Sequence, residues 1–227
     1  SLNSATAYTM LNLVGLDDSY NYLIQMGIPS SHISKTGSGL ALGSSSITPI
    51  EMAGAYATIA NDGVYLEPLS FTKVIDKDGT VILDADKIRD KKQVFKESTA
   101  WIVTDMLVNA VQKGTGREAN IDGMTVGGKT GTNQNVKGIF FAGITPYYTS
   151  TLWIGHDQYK SLDKRVYASE FAAPLWKEYM SKILDGKPNA PISGKTPAEL
   201  GLIKKSVCSV SGMLATEACL QDAGGHV

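Results

Sequence analysis

The spacing of apolar side chains divides the chain into a helical first part, a mixed middle and a strand-rich second half closed by a helix. After a short polar start, residues 1–27 predict two helical stretches, the second opening at Asp17-Asp18 and closing at Gly27 with Pro29 just beyond. Residues 34–46, dense in Gly and Ser, read as loop. Thr48, Pro49 and Glu51 then give the N-cap, first-turn proline and capping-box acid of a helix. Ile50, Ala53, Ala57 and Ala60 hold helical spacing until Asn61-Asp62-Gly63 ends it, and such a small-residue face suits close packing on a neighbour. Residues 64–76 are rich in β-branched and aromatic types, and Asp76-Lys77-Asp78-Gly79 turns the chain into 80–83 as a hairpin. Residues 98–112 predict a second long helix with Ile102, Met106, Val108 and Val111 on its apolar side and Gly114 past its end.

From residue 124 the period becomes that of strands, at 124–132, 138–145 and 150–156. Pro146-Tyr147-Tyr148-Thr149 is short enough to force the last two into an antiparallel hairpin. Residues 170–184 predict an amphipathic helix with Phe171, Leu175, Trp176, Tyr179 and Ile183 available to cover a sheet face. Gly186 stops it, and Pro188, Pro191 and Pro197 follow closely, which places a domain at 1–185 and a linker with a tail at 186–227.

Composition narrows the function classes. The 227 residues are 43% hydrophobic and 19% charged, enough for one sizeable core. Lys and Arg number 21 against 22 Asp and Glu, so there is no electrostatic ground for a nucleic-acid partner. No apolar run approaches the roughly 20 residues that span a bilayer. Cys208 and Cys219 are as compatible with one disulfide as with two thiols, and His32, His156 and His226 are scattered, so no metal site is expected.

Three short patterns bear on chemistry. Gly123, Gly128, Lys129 and Thr130 fit the phosphate-loop pattern, but residues 117–122 ahead of it are polar and a turn with a strand follows, leaving no helix terminus to cradle a phosphate. Lys-Thr-Gly occurs at Lys35 in the Gly/Ser loop, where a solvated turn is expected, and again at Lys129 on a strand. There an ammonium and neighbouring hydroxyls lie along an edge able to pair with an extended peptide, a combination suited to a substrate ending in a carboxylate. Ser-x-Asn occurs at Ser19-Tyr20-Asn21 inside a helix, where the side chains diverge, and at Ser1-Leu2-Asn3 ahead of one, where both could face a cleft.

Ser1-Leu2-Asn3 followed by Lys129-Thr130-Gly131-Thr132 resembles the transpeptidase domain of penicillin-binding proteins, marked by S-x-x-K, S-x-N and K-T-G in that order. Ala41-Leu42-Gly43, Thr48-Pro49-Ile50-Glu51-Met52-Ala53, Ala55-Tyr56-Ala57-Thr58 and Trp153-Ile154-Gly155 are similar to the same family, and the tail around Ser211-Gly212-Met213-Leu214-Ala215-Thr216 resembles its bifunctional, class A branch. The resemblance implies an α+β fold of the penicillin-binding protein and serine β-lactamase kind, an antiparallel sheet covered by helices plus an all-α subdomain. No S-x-x-K precedes Ser1, and Ser161-Leu162-Asp163-Lys164, which fits the letters, follows both partner motifs and reads as an exposed turn. The nucleophile is therefore expected in an upstream segment of the same protein. The chain would carry the last three of five sheet strands, with an open edge and poor stability by itself.

The resemblance implies acyl transfer from D-Ala-D-Ala stem peptides of peptidoglycan through a serine, with β-lactams as alternative acyl donors and no cofactor. Ser1 would relay a proton, Asn3 would hold the substrate amide, and Lys129 would favour the substrate carboxylate. Thr130 and Thr132 would donate hydroxyls to it, Gly131 would permit close approach, and the Thr132 N–H would form half of an oxyanion hole. The implied location is the outer face of a bacterial membrane, anchored elsewhere in the protein. A serine β-lactamase would be told apart by fast deacylation, and a non-catalytic penicillin sensor by the lack of S-x-x-K upstream.

Overall fold

The computed structural model describes residues 4–208, 212–217 and 219. The chain divides into two compact units, Ser1–Gly194 and Lys195–Val227. Among the described residues, the first unit contains helices α1 (Ser4–Val14), α2 (Leu16–Gln25), α3 (Gly37–Leu42), α4 (Pro49–Ala60), α5 (Ala85–Ile88), α6 (Glu97–Lys113) and α7 (Ala172–Ile183). Its strands are β1 (Val64–Leu66), β2 (Lys73–Ile75), β3 (Val81–Asp84), β4 (Lys91–Gln93), β5 (Gly127–Thr132), β6 (Gly138–Ile144) and β7 (Thr149–Gly155). The architecture is α+β, with a three-stranded antiparallel sheet in the order β5-β6-β7 and two small ribbons, β1-β4 and β2-β3.

Strong local signals set the helix starts. At α4 the Thr48 hydroxyl accepts from Glu51 N–H at 3.4 Å and the Glu51 carboxylate accepts from Thr48 N–H at 2.8 Å, a complete capping box with Pro49 in the first turn. The same carboxylate meets His32 Nδ1 at 3.0 Å, which ties the preceding loop to the helix. Its buried stripe is Gly54, Ala55 and Thr58, however, and not the expected Ile50, Ala53, Ala57 and Ala60; Ile50 is 62% exposed. Likewise α6 buries Ala100, Thr104 and Val111, while Ile102 and Met106 stay exposed. Both helices pack on the sheet, α4 against β6 and β7 and α6 against β5, and small residues permit that approach.

Residues 34–46 depart from the expected loop, because 37–42 form α3. The Thr36 hydroxyl caps it by accepting from Gly39 N–H at 3.0 Å, and Gly39 lies so close to Ser34 that a Cβ would come within 2.1 Å of the Ser34 carbonyl oxygen. Lys35, in the first Lys-Thr-Gly, pairs with Asp17 at 2.7 Å near the surface.

Helix α7 covers the other sheet face. Trp176 is fully buried and packs against Phe141 with the ring planes tilted at 59° and 5.1 Å between ring centres, and Trp176 Nε1–H donates to the Ser150 carbonyl. Ala172, Ala173, Met180 and Leu184 complete that face, whereas the expected Phe171, Leu175 and Ile183 are about half exposed. Residues 186–194 remain attached to the first unit: Tyr147 Oη–H donates to the Pro188 carbonyl at 2.6 Å, Asn189 Oδ1 accepts from Thr125 N–H at 2.7 Å, and Ser193 donates to Asp62 at 2.7 Å. The two units divide after Gly194, within the proline-containing stretch that follows Gly186. In the second unit Thr196 and Glu199 form a reciprocal cap, and Val207 and Leu214 make an antiparallel bridge.

Gly143 leaves the space that Trp176 fills, since a Cβ there would lie 2.2 Å from the indole. Gly143→Ala should destabilise the domain by about 1–3 kcal/mol, seen as a lower denaturant midpoint in the full-length protein. An unchanged midpoint would show that the indole has room to move.

Candidate active site

Residues 127–132 are strand β5, as the period-two reading expects, and the turn and strand that follow supply no helix terminus. The phosphate-loop pattern is thereby extended backbone, without the geometry that holds a phosphate. Among the described residues β5 pairs only with β6, so its other edge is free of strand partners. Asn133 N–H is donated inward to the Gly138 carbonyl at 3.2 Å. Strand alternation then turns the preceding Thr132 N–H, and the N–H and C=O of Thr130, toward the free edge.

Cross-strand register assigns the side chains to faces. Thr130 lies opposite Phe141 and Thr132 opposite Ile139, on the face covered by α7, whereas Lys129 lies opposite Ala142 and Gly131 opposite Phe140 on the other face. A strict pleat would therefore separate the ammonium from both hydroxyls. The Lys129 side chain overcomes this by curling around the edge: its Nζ donates to the Thr130 carbonyl at 2.8 Å and lies 3.4 Å from Thr130 Oγ1. Burial pushes the Lys129 pKa below its ordinary value, because the half-buried ammonium has exchanged water for one carbonyl and one hydroxyl.

Thr132 Oγ1 accepts from Ala168 N–H at 3.3 Å, which anchors the β7–α7 loop beside the end of the strand. Acceptance uses a lone pair and leaves the Thr132 hydroxyl hydrogen available to a ligand. Thr130 Oγ1 lies 2.8 Å from Thr115 Oγ1, a residue of the loop after α6. The structure thus brings Lys129 and Thr130 together, places Gly131 between them and Thr132, and holds the Thr132 hydroxyl on a separate anchor. Ser1 and Asn3 lie outside the described residues. Thr115 and the Ala168 amide escaped the sequence reading, although the flanking Gly114 and Gly116 were a cue to a tight turn.

Among the described residues, no cluster of His, Cys, Asp or Glu could hold a metal ion. No helix among them is long and apolar enough to cross a membrane. Ser161-Leu162-Asp163-Lys164 is a loop in which Leu162 packs on the core and the other three side chains are exposed.

A family model of the penicillin binding protein transpeptidase domain matches residues 2–181. Penicillin-binding protein 1A of Clostridium botulinum is 34% identical over 226 residues, covering 98% of this chain and 26% of that protein. Penicillin-binding protein 1F of Bacillus subtilis is 33% identical over 187 residues, 79% of this chain and 25% of its own length. The chain spans about a quarter of these relatives. Among solved structures, penicillin-binding protein 1A from Haemophilus influenzae superposes with a TM-score of 0.81 at 23% identity, covering 94% of this chain and 37% of that one, and so shares the fold. PonA1 from Mycobacterium tuberculosis, solved in complex with penicillin V, gives 0.66 at 26% identity over 77% of this chain and 50% of that one. With a domain model matching most of its length and a Lys-Thr-Gly-Thr strand at the free edge of the sheet, the chain belongs to the penicillin-binding protein transpeptidase family.

Proposed function

We propose that the chain contributes the carboxylate-binding and oxyanion-binding half of a D,D-transpeptidase site that cross-links peptidoglycan stem peptides by serine acyl transfer and is acylated by β-lactams. The observation that carries this reading is the free edge of β5, where an ammonium, two threonine hydroxyls and an outward N–H follow one another within four residues. An extended peptide ending in D-Ala-D-Ala would lie along this edge, its terminal carboxylate against Lys129, Thr130 and Thr132. Its scissile carbonyl would lie against the Thr132 N–H. The desolvated ammonium favours an anionic ligand, because a carboxylate restores the electrostatic stabilisation that burial removed. Gly131 adds no side chain at the edge that the peptide approaches.

The bond chemistry needs a serine and its base. These would come from an S-x-x-K segment outside the 227 residues, consistent with a chain that spans about a quarter of its relatives. Serine would attack the penultimate D-Ala carbonyl, D-alanine would leave with a proton relayed by Ser1, and an amine of a second stem would take the acyl group. Asn3 would bind the stem amide. The outer edge of β7, unpaired among the described residues, is where the upstream strands would complete the sheet. The 227 residues alone would then be inactive. Such a site would stand on the outer face of the membrane, held by an anchor elsewhere in the protein.

In the full-length protein, Lys129→Ala should lower the rate of acylation by labelled penicillin by about 100-fold or more; undiminished acylation would defeat the reading. Lys129→Met isolates the electrostatic cost. A cation whose folded pKa lies below the unfolded 10.5 is penalised in the folded state while protonated, and the penalty fades as pH rises from the lowered value toward 10.5. The Met variant should therefore melt higher than the parent at pH 7, with the difference shrinking toward pH 10. A lower melting temperature at pH 7 would mean that the Thr130 contacts outweigh desolvation.

A further inference from the structure

We infer that Thr115 is a positioning residue of the carboxylate site: its hydroxyl holds Thr130 Oγ1 from behind and leaves the Thr130 hydrogen to be given to the ligand. This rests on the transpeptidase reading of β5.

Thr130 Oγ1 has one hydrogen and two lone pairs. Lys129 Nζ, which can only donate, lies 3.4 Å from it, and Thr115 Oγ1 lies 2.8 Å from it. With no ligand bound, either threonine can donate to the other. Once an anionic carboxylate takes the Thr130 hydrogen, only one arrangement satisfies every group: Thr115 donates to Thr130, the ammonium approaches the remaining lone pair, and Thr130 donates outward. A residue without a hydroxyl at 115 would leave the Thr130 rotor unset and remove the donor that strengthens its outward bond.

The loop carrying Thr115 is built to keep that hydroxyl in place. Gly114 N–H and Gly116 N–H both donate to the Ala110 carbonyl at 3.1 Å, folding the chain tightly over the last turn of α6. Side chains would obstruct this closure, since a Cβ at Gly114 would lie 2.8 Å from the Ala110 oxygen and one at Gly116 3.2 Å from it. On the far side Ala119 N–H donates to the Gly116 carbonyl at 2.9 Å, and Ala119 is wholly buried in the core beneath α7. The turn is thus pinned at both ends, to the helix on one sheet face and to the core on the other, and Thr115 is presented where the chain rounds the edge of β5. Fifteen residues separate Thr115 from Thr130, so the contact exists only through the tertiary fold.

The test measures acylation of the full-length protein by a labelled penicillin and by its methyl ester, in which the carboxylate is masked. Thr115→Val should slow acylation by the acid about 3- to 10-fold, Thr115→Ser should restore it to within about twofold, and the slow reaction of the ester should be unchanged. The double variant Thr115→Val with Thr130→Val should be no slower than Thr130→Val alone, because one acts through the other. Multiplying losses, an equal loss with the ester, or a full rate in Thr115→Val would each overturn the inference. Should Thr115→Val fail to fold, the pair Thr115→Ser and Thr115→Ala decides: a slowed Ala beside a normal Ser supports the role, and equal rates overturn it. Lys129→Ala measured alongside separates the two levels. Retained acylation there removes the parent reading, whereas its loss together with a normal Thr115→Val removes only the positioning role.

Discussion

The pairing of Gly128 with Gly143 governs the rest of the structure. These glycines lie directly opposite each other on β5 and β6, and the space where their side chains would stand is taken by two aromatic rings, Phe141 over Gly128 and Trp176 over Gly143. The two rings touch, so helix, middle strand and edge strand lock together at one point. Because side chains alternate, a slip of one residue would drive Phe141 to the opposite face and leave the indole against a filled strand. The register that puts Lys129 opposite Ala142, and turns the Thr132 N–H outward, therefore follows from core packing and not from any interaction made by the site residues themselves.

That division of labour has an electrostatic consequence. A half-buried ammonium on an edge strand is unfavourable in isolation, and Lys129 relieves it by reaching a carbonyl of its own strand. This solution is local and leaves the adjacent hydroxyls disposed for a ligand that brings negative charge. Thr132 Oγ1 is held by the Ala168 amide and Thr130 Oγ1 lies against Thr115 Oγ1, so both oxygens are placed before binding and mainly the hydroxyl hydrogens remain to be set. The site is built from one strand but supported from two loops, one behind each threonine.

Strands β2, β3, β5, β6 and β7 and the main helices were legible in the sequence because their signals are local: the Thr48 capping box, the turns at Asp76-Lys77-Asp78-Gly79 and Pro146-Tyr147-Tyr148-Thr149, and the period of two after residue 124. The stretch expected as one strand at 64–76 is instead divided, and its first part, β1, pairs with β4, three exposed polar residues that carry no strand signal. Nor were the buried faces of the helices legible. Assigning the largest apolar residues inward fails where a helix approaches a sheet closely, and Gly54, Ala55 and Thr58 on α4, with Ala100 and Thr104 on α6, take those places while Ile50 and Met106 point out. Helix α3 was hidden by its poor composition, which the Thr36 cap and the contact of Gly39 with Ser34 override. At the site the motif residues were legible as letters. The supports from Thr115 and Ala168 depend on contacts distant in sequence: Gly114 and Gly116 mark a turn at Thr115, but nothing local says that the turn meets Thr130.

A crystal structure of the full-length protein acylated by penicillin would show directly what meets the free edge of β5. The ligand carboxylate should lie within hydrogen-bonding distance of the Thr130 and Thr132 hydroxyls and beside Lys129 Nζ, with the acyl oxygen on the Thr132 N–H. A carboxylate bound away from β5, or an acyl oxygen that leaves the Thr132 N–H unused, would contradict the role proposed for this strand.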